Sequence, residues 1–198
     1  MSYRKIGIMG GTFDPIHNAH LQLAQEALES QDLNQVIFIP AGQPNFKQNR
    51  NILEKDTRKL LVELGIQDND QFIIDDFELR KDSLSYTIDT IEYLQRKYPK
   101  DELFFILGED ALLELPKWHR SSELKNKISF LVAKRSLDGF SKDLDRLRKL
   151  GYNIIEFPFY YLEISSTMIR EKRRNNREIR YLVPQKVGEF IKERKLYR

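Results

Sequence analysis

Six short runs of β-forming residues, separated by stretches with helical spacing, predict an open α/β sheet of mostly parallel strands covered by helices on both faces. The runs are Ile6 to Met9, Val36 to Ile39, Phe72 to Asp75, Leu103 to Leu107, Ile128 to Ala133 and Asn153 to Phe157. A Gly10-Gly11 pair lies directly after the first run and directly before the first helical stretch. In an open α/β sheet that position falls at the carboxyl edge, where ligands bind. The fold class read from these observations is α/β and Rossmann-like.

The helical stretches follow in order. Leu21, Ala24, Ala27 and Leu28 share one face, as do Leu60, Leu61 and Leu64, and then Ile88, Ile91 and Leu94. After Phe157 the pattern turns helical, with Ser165 to Arg174 and then Pro184 to Leu196, where Pro184 suits a first helical position. No repeat, low-complexity tract or Pro/Gly/Ser-rich linker divides the chain. The expectation is one domain over residues 1–198 with a small C-terminal helical part at about 165–198.

Composition removes several classes of function. With 198 residues and no cysteine, the chain has no disulfide scaffold, thiolate zinc site, iron–sulfur cluster or cysteine nucleophile. Hydrophobic residues at 40% and charged residues at 32% suit a folded domain rather than a disordered one. The start runs straight into the first strand pattern with no signal-like apolar stretch, so secretion and membrane insertion are not expected and a cytoplasmic location is. The net charge of +3 hides a polarity. From Ser165 to Arg198 the chain carries a local +7, and the 164 residues before it carry −4.

The strongest chemical signal is Gly10-Gly11-Thr12-Phe13-Asp14-Pro15-Ile16-His17-Asn18-Ala19-His20. Glycines let backbone N–H groups approach a phosphate closely, and a following helix N-terminus adds a favourable dipole. His17 and His20, three residues apart, share a helix face and can point at one anion. A tight turn with two surface histidines is the plainer alternative. The Walker ending Gly-Lys-Ser/Thr is missing, and so is G-x-G-x-x-G.

The second signal is Ile164-Ser165-Ser166-Thr167-Met168-Ile169-Arg170. Its hydroxyls can cap a helix and leave N–H groups and hydroxyls for phosphate oxygens, while the Arg170 fork suits bidentate phosphate binding. An ordinary N-cap before a solvated basic helix explains the same residues.

Together, G-x-F-x-P-x-H-x-x-H and I-S-S-T-x-I-R resemble the double signature of the adenylyl- and cytidylyltransferases of the nucleotidyltransferase superfamily. Within it the chain is similar to the bacterial nicotinate-nucleotide adenylyltransferases. Further matches run from Ile39-Pro40 with Lys47 through Ser85-Tyr86-Thr87, Gly108 with Asp110, Leu115-Pro116-Lys117-Trp118 and Lys134-Arg135 to the final Leu196-Tyr197-Arg198.

The resemblance implies transfer of an adenylyl group from ATP, with Mg²⁺, to nicotinate mononucleotide, giving deamido-NAD and pyrophosphate in NAD biosynthesis. It implies that His17, His20 and Arg170 act on the phosphates. Gly10, Gly11, Thr12 and Phe13 would line the nucleotide, and Gly108, Asp110, Arg135, Ser165, Ser166 and Thr167 would complete the ATP side. Trp118 would stack on the pyridine ring, Tyr86-Thr87 and the amide of His119 would receive its carboxylate, and Lys47 would lie near the mononucleotide. No protein metal ligand is expected, since Mg²⁺ commonly keeps substrate phosphates and waters.

Nucleic acid and membrane partners are not expected, and a homodimer is left open. Without the resemblance, a core or lid residue is the competing reading of Trp118, Ser85-Tyr86-Thr87 reads as a helix start, and Lys47 reads as a surface lysine. Ala19, Phe46, Glu109 and His119 depart from the family pattern. A nucleotide-binding sensor, a nucleic-acid binder, and phosphopantetheine or glycerol phosphate transfer are the competing readings.

Overall fold

The computed structural model describes residues 3–44, 52–81, 83–134 and 141–198, with the backbone alone described at Pro44, Asp110 and Ser141. All six predicted strands form: β1 (Lys5–Gly11), β2 (Gln35–Pro40), β4 (Phe72–Ile74), β6 (Glu102–Leu107), β7 (Ser129–Lys134) and β8 (Ile154–Pro158). They pair in the order β4-β2-β1-β6-β7-β8, and every pairing is parallel. Two short strands outside the predicted set, β3 (Gln43–Pro44) and β5 (Leu84–Ser85), form a separate parallel pair.

Among the described residues, eight helices surround the strands: α1 (Asn18–Ser30), α2 (Lys55–Ile66), α3 (Thr87–Lys97), α4 (Glu109–Leu113), α5 (Ser121–Leu124), α6 (Ser141–Lys149), α7 (Ser166–Arg174) and α8 (Gln185–Glu193). A tight 3₁₀ turn at Leu115–Lys117 joins α4 to α5. Pro184 is the N-cap of α8, one position before the first helical residue, because its ψ of 148° is extended. The helix stops at Glu193, short of the predicted Leu196, and Lys195 and Tyr197 both take left-handed backbone at φ 54° and 61°. Among the described residues, no helix is long and apolar enough to cross a membrane.

Alternation along each strand divides the interior into two cores. Val36, Phe38, Phe104, Ile106, Leu131 and Phe157 face the side covered by α1, α2, α7 and α8. Ile37, Ile39, Leu103, Phe105, Phe130 and Ile154 face the side covered by α3 to α6. A sheet buried on both faces leaves its carboxyl edge for ligands.

The strand order reverses direction between β1 and β6, the kind of switch point at which open α/β sheets form their ligand crevice. β1 stays paired with β2 as far as Gly11 opposite Pro40, but its pairing with β6 ends at Ile8 opposite Phe105. Beyond that point the pairing of the two central strands stops, with Gly10 and Gly11 on one lip of the carboxyl edge and Gly108 on the other.

Candidate functional site

The loop from Gly11 to His17 is shaped by its own aromatic ring. Phe13 takes left-handed backbone at φ 48° and turns its side chain back over Gly11, where a Cβ would lie 2.9 Å from the ring. The ring is 2% exposed and packs on Phe38. Only the backbone of Phe13 is therefore left to face a ligand. The Asp14-Pro15 peptide that follows is cis.

His17 is the N-cap of α1. Its amide donates to Nδ1 of His20 at 3.3 Å, while its own Nδ1 faces the His20 amide without reaching hydrogen-bond geometry. The two rings stack with centroids 3.6 Å apart and 21° between planes. The edge of Phe13 meets the His20 ring at 5.1 Å. The imidazoles thus form one block rather than two independent arms. His17 is buried, and that desolvation pulls its imidazole down to about 4. It is neutral at neutral pH. The Asn18 amide, at the start of α1, already donates to the Leu182 carbonyl at 3.0 Å, so part of the helix N-terminus is occupied by the chain itself.

The head of α7 is bound to this loop. Ser166 Oγ donates to the Pro15 carbonyl at 2.9 Å, and Arg170 Nη1 donates to the Asp14 carbonyl at 2.8 Å. Ser165 Oγ caps the helix by accepting from the Met168 amide at 3.2 Å. Thr167 Oγ1 accepts from Arg170 Nη2 at 3.1 Å. The three hydroxyls thus cap α7, orient Arg170 and join the two motifs.

Beneath the loop sits a polar cluster that holds its shape. Asp14 is 2% exposed and its Oδ1 accepts from the Tyr197 hydroxyl at 2.8 Å. Arg170 lies 4.0 Å from its other oxygen. Arg58 of α2 is 1% exposed. It donates to the carbonyls of Thr12 at 2.8 Å, Gly42 at 3.0 Å and Leu53 at 3.1 Å. Burial lowers the Arg58 guanidinium from its ordinary value, against the pull of Asp14. Three carbonyls around one guanidinium fix three loops relative to each other.

On the other lip, Gly108 is the N-cap of α4, and a Cβ built there meets nothing within 4 Å. Trp118 ends the 3₁₀ turn, half-buried, with its edge against Phe105 at 6.0 Å and 80°. His119 is exposed and its ring packs on Tyr86 at 4.1 Å. Tyr86 is the N-cap of α3 and Thr87 its first residue. Arg120 locks this corner by pairing with Glu92 of α3 at 3.2 Å and Glu123 of α5 at 2.6 Å.

Nearby, Glu78 is buried and raised by desolvation, and it accepts from the Thr90 hydroxyl. Gly42 presses on its carbonyl, where any Cβ would come within 2.1 Å. The Gly42 amide donates to Ser85 Oγ at 3.0 Å.

The family model described as Cytidylyltransferase-like matches residues 8–172. The nicotinate-nucleotide adenylyltransferase of Bacillus subtilis (strain 168) is 39% identical, over 98% of each chain. The chain belongs to the nicotinate-nucleotide adenylyltransferase family. Structures of the Plasmodium falciparum nicotinic acid mononucleotide adenylyltransferase, complexed with NaAD and with APC, match with TM-scores of 0.81 and 0.80. Identity to each is 18%, with 98% of both chains covered, so that likeness is one of fold.

Of the residues that the family signatures single out, Gly10 to His20 and Ser165 to Arg170 are brought together through the Pro15 and Asp14 carbonyls. Tyr86, Thr87, Trp118 and His119 gather at the α3–α5 corner. Lys47 and Arg135 lie outside the described residues, as does the side chain of Asp110. Arg58, Asp14 and Tyr197 were not among the residues predicted to serve the site. Arg58 carried a signal: the buried face of α2 runs through Arg58, Leu61, Val62 and Gly65, so a cation stands in an apolar stripe. Among the described residues, no group of three or more His, Asp or Glu side chains could hold a metal ion.

Proposed function

We infer that this chain joins ATP and nicotinate mononucleotide to give deamido-NAD and pyrophosphate, a step of NAD biosynthesis. What carries the reading is the meeting of the glycine loop, the His17–His20 stack and the head of α7 at the sheet's switch point. It occurs in a chain 39% identical to the Bacillus subtilis enzyme of that name.

The 5′-phosphate oxygen of the mononucleotide attacks the α-phosphorus of ATP. The bond from that phosphorus to the bridging oxygen breaks in line, and pyrophosphate leaves with the electron pair. The nucleophile is already an anion near neutral pH, so no general base is needed. Catalysis then rests on positioning and on stabilising charge in the transition state.

In this reading the backbone of Gly10, Gly11, Thr12 and Phe13 lies along the nucleotide. Neutral His17 donates an imidazole N–H, His20 contacts the phosphates, and Arg170 adds positive charge while holding the Asp14 carbonyl. Gly108, Asp110, Arg135, Ser165, Ser166 and Thr167 belong to the ATP side. Mg²⁺ arrives as the counter-ion of the ATP phosphates. The Asp14 carboxylate, already bonded to Tyr197 and beside Arg170, fits a structural role better than a metal ligand.

For the second substrate, Trp118 offers a flat face to the pyridine ring, the His119 amide and the Thr87 region receive its carboxylate, Tyr86 supports His119, and Lys47 lies toward the mononucleotide. Backbone donors suffice for a carboxylate, whereas an amide also needs an acceptor. Residues 1–198 are read as one nucleotidyltransferase domain in the cytoplasm, with a homodimer compatible and no nucleic acid or membrane partner required.

The test is incubation with ATP, Mg²⁺ and each mononucleotide in turn, followed by product identification. Deamido-NAD and pyrophosphate are expected, with higher kcat/KM for the acid. A preference for the amide substrate reverses the assignment, and absence of pyrophosphate with either substrate removes it.

A further inference from the structure

The C-terminal helices hold a buried cation that none of the contacts above uses. Arg173, in the last turn of α7, is 8% exposed, yet its Nε and Nη2 are buried with no hydrogen-bond partner among the described residues. Leaving charged donors buried and unbonded is costly, so such an edge has strong affinity for an acceptor. Nε and Nη2 lie on the same side of the guanidinium. That side grips a carboxylate or phosphate through two parallel N–H···O bonds.

Arg173 lines a cleft of about 550 Å³ whose walls include Arg180, Tyr181, Lys192, Glu178 and Glu189, although Nε and Nη2 themselves are sealed from it. One of the two carboxylates is already engaged, since Glu189 accepts from Gln185 Nε2 at 2.8 Å. Buried Ile179 supplies an apolar wall, and Tyr181, 83% exposed, offers a ring. Three cations against two carboxylates, with an unbonded fork behind the wall, favour an anionic guest.

We propose that this cleft is a second ligand site, which binds a small oxyanion, a phosphate or carboxylate group, and that Arg173 turns its unbonded Nε/Nη2 edge out of the wall to hold it. Arg180 and Lys192 add charge around it. The site shares no residue with the nucleotide crevice and does not depend on which reaction the crevice carries out. It stands one helical turn from Arg170 on the same face of α7, so its occupant would lie beside the helix whose head holds the phosphate loop.

The test titrates the full chain with inorganic phosphate and, separately, with phenyl phosphate. The readout is the Nε–H resonance of Arg173, assigned by its disappearance in Arg173→Met. A saturable shift of that resonance is expected with both probes. Loss of a charge-assisted pair predicts phosphate binding about tenfold or more weaker in Arg173→Met and in Arg173→Lys, which keeps the charge but not the fork. Tighter binding of phenyl phosphate identifies an organic anion that uses Tyr181, and equal binding identifies free phosphate. A resonance that responds to neither probe overturns the site, as does unchanged phosphate affinity in both variants. Should Arg173→Met fail to fold, the wild-type titration together with Arg173→Lys decides.

Discussion

His17 and His20 differ in what their surroundings allow, although the motif presents them as a pair. His17 is 5% exposed and held neutral by desolvation, while His20 is half-buried between the His17 ring and the edge of Phe13. On the proposed mechanism His20 is a phosphate donor, and loss of one such donor typically costs about 3 kcal/mol of transition-state stabilisation. His20→Ala should therefore lower kcat/KM by about two orders of magnitude in a steady-state pyrophosphate assay. Near wild-type kcat/KM would exclude it from the phosphate contacts. Trp118 acts on binding instead. Its half-buried ring is braced edge-on by Phe105. Stacking contributes about 1 kcal/mol beyond area burial, so Trp118→Ala should raise KM for the pyridine nucleotide about fivefold or more, with kcat little changed. An unchanged KM would place the indole outside the binding face.

At the scale of elements, what could be read in advance depended on how locally each signal is written. The six strands of the main sheet were legible because each alternates between two cores, so every residue from Val36 to Ile39 or from Leu103 to Leu107 is apolar. The β3–β5 pair was not, since two residues per strand carry no periodicity. α6 was missed because Leu144 and Leu147 are the buried apolar positions in an otherwise charged run. Both signature motifs were visible, but their junction was not. Ser166 meets Pro15 across 151 residues and Tyr197 meets Asp14 across 183, and no window of sequence contains such a pair.

That junction makes the chain's last turn part of the site. Burial, with the neighbouring Asp14 carboxylate, raises the Tyr197 hydroxyl, so it stays protonated and donates. Tyr197→Phe leaves a buried carboxylate oxygen short of a donor, which costs about 1–3 kcal/mol. The expected result is a lower urea midpoint together with a raised KM for ATP, because the loop on which the Arg170 fork rests loosens. Stability lost with KM unchanged would show that the C-terminus supports the fold without shaping the site.

For the whole molecule, the buried imidazole at the candidate site ties stability to pH. An unfolded chain protonates His17 near its ordinary value of 6.5, whereas the folded chain resists until about 4. Between those values the unfolded state binds more protons, so stability rises with pH there and is lost as pH falls. The contribution is fully present above 6.5 and absent below about 4. Going from about pH 7 to about pH 5 should cost about 2 kcal/mol from this residue alone. Carboxylates titrate at the lower end of the window and their effects overlap, so the variant supplies the reference. His17→Asn keeps a favoured N-cap residue but has no imidazole. Urea unfolding of both proteins across this range should give a steeper decline for the native chain than for His17→Asn. Parallel profiles would mean that His17 takes up its proton in the folded state without penalty. In that case His17 would be a cation at mildly acid pH, and the phosphate crevice would gain a charge rather than a neutral donor.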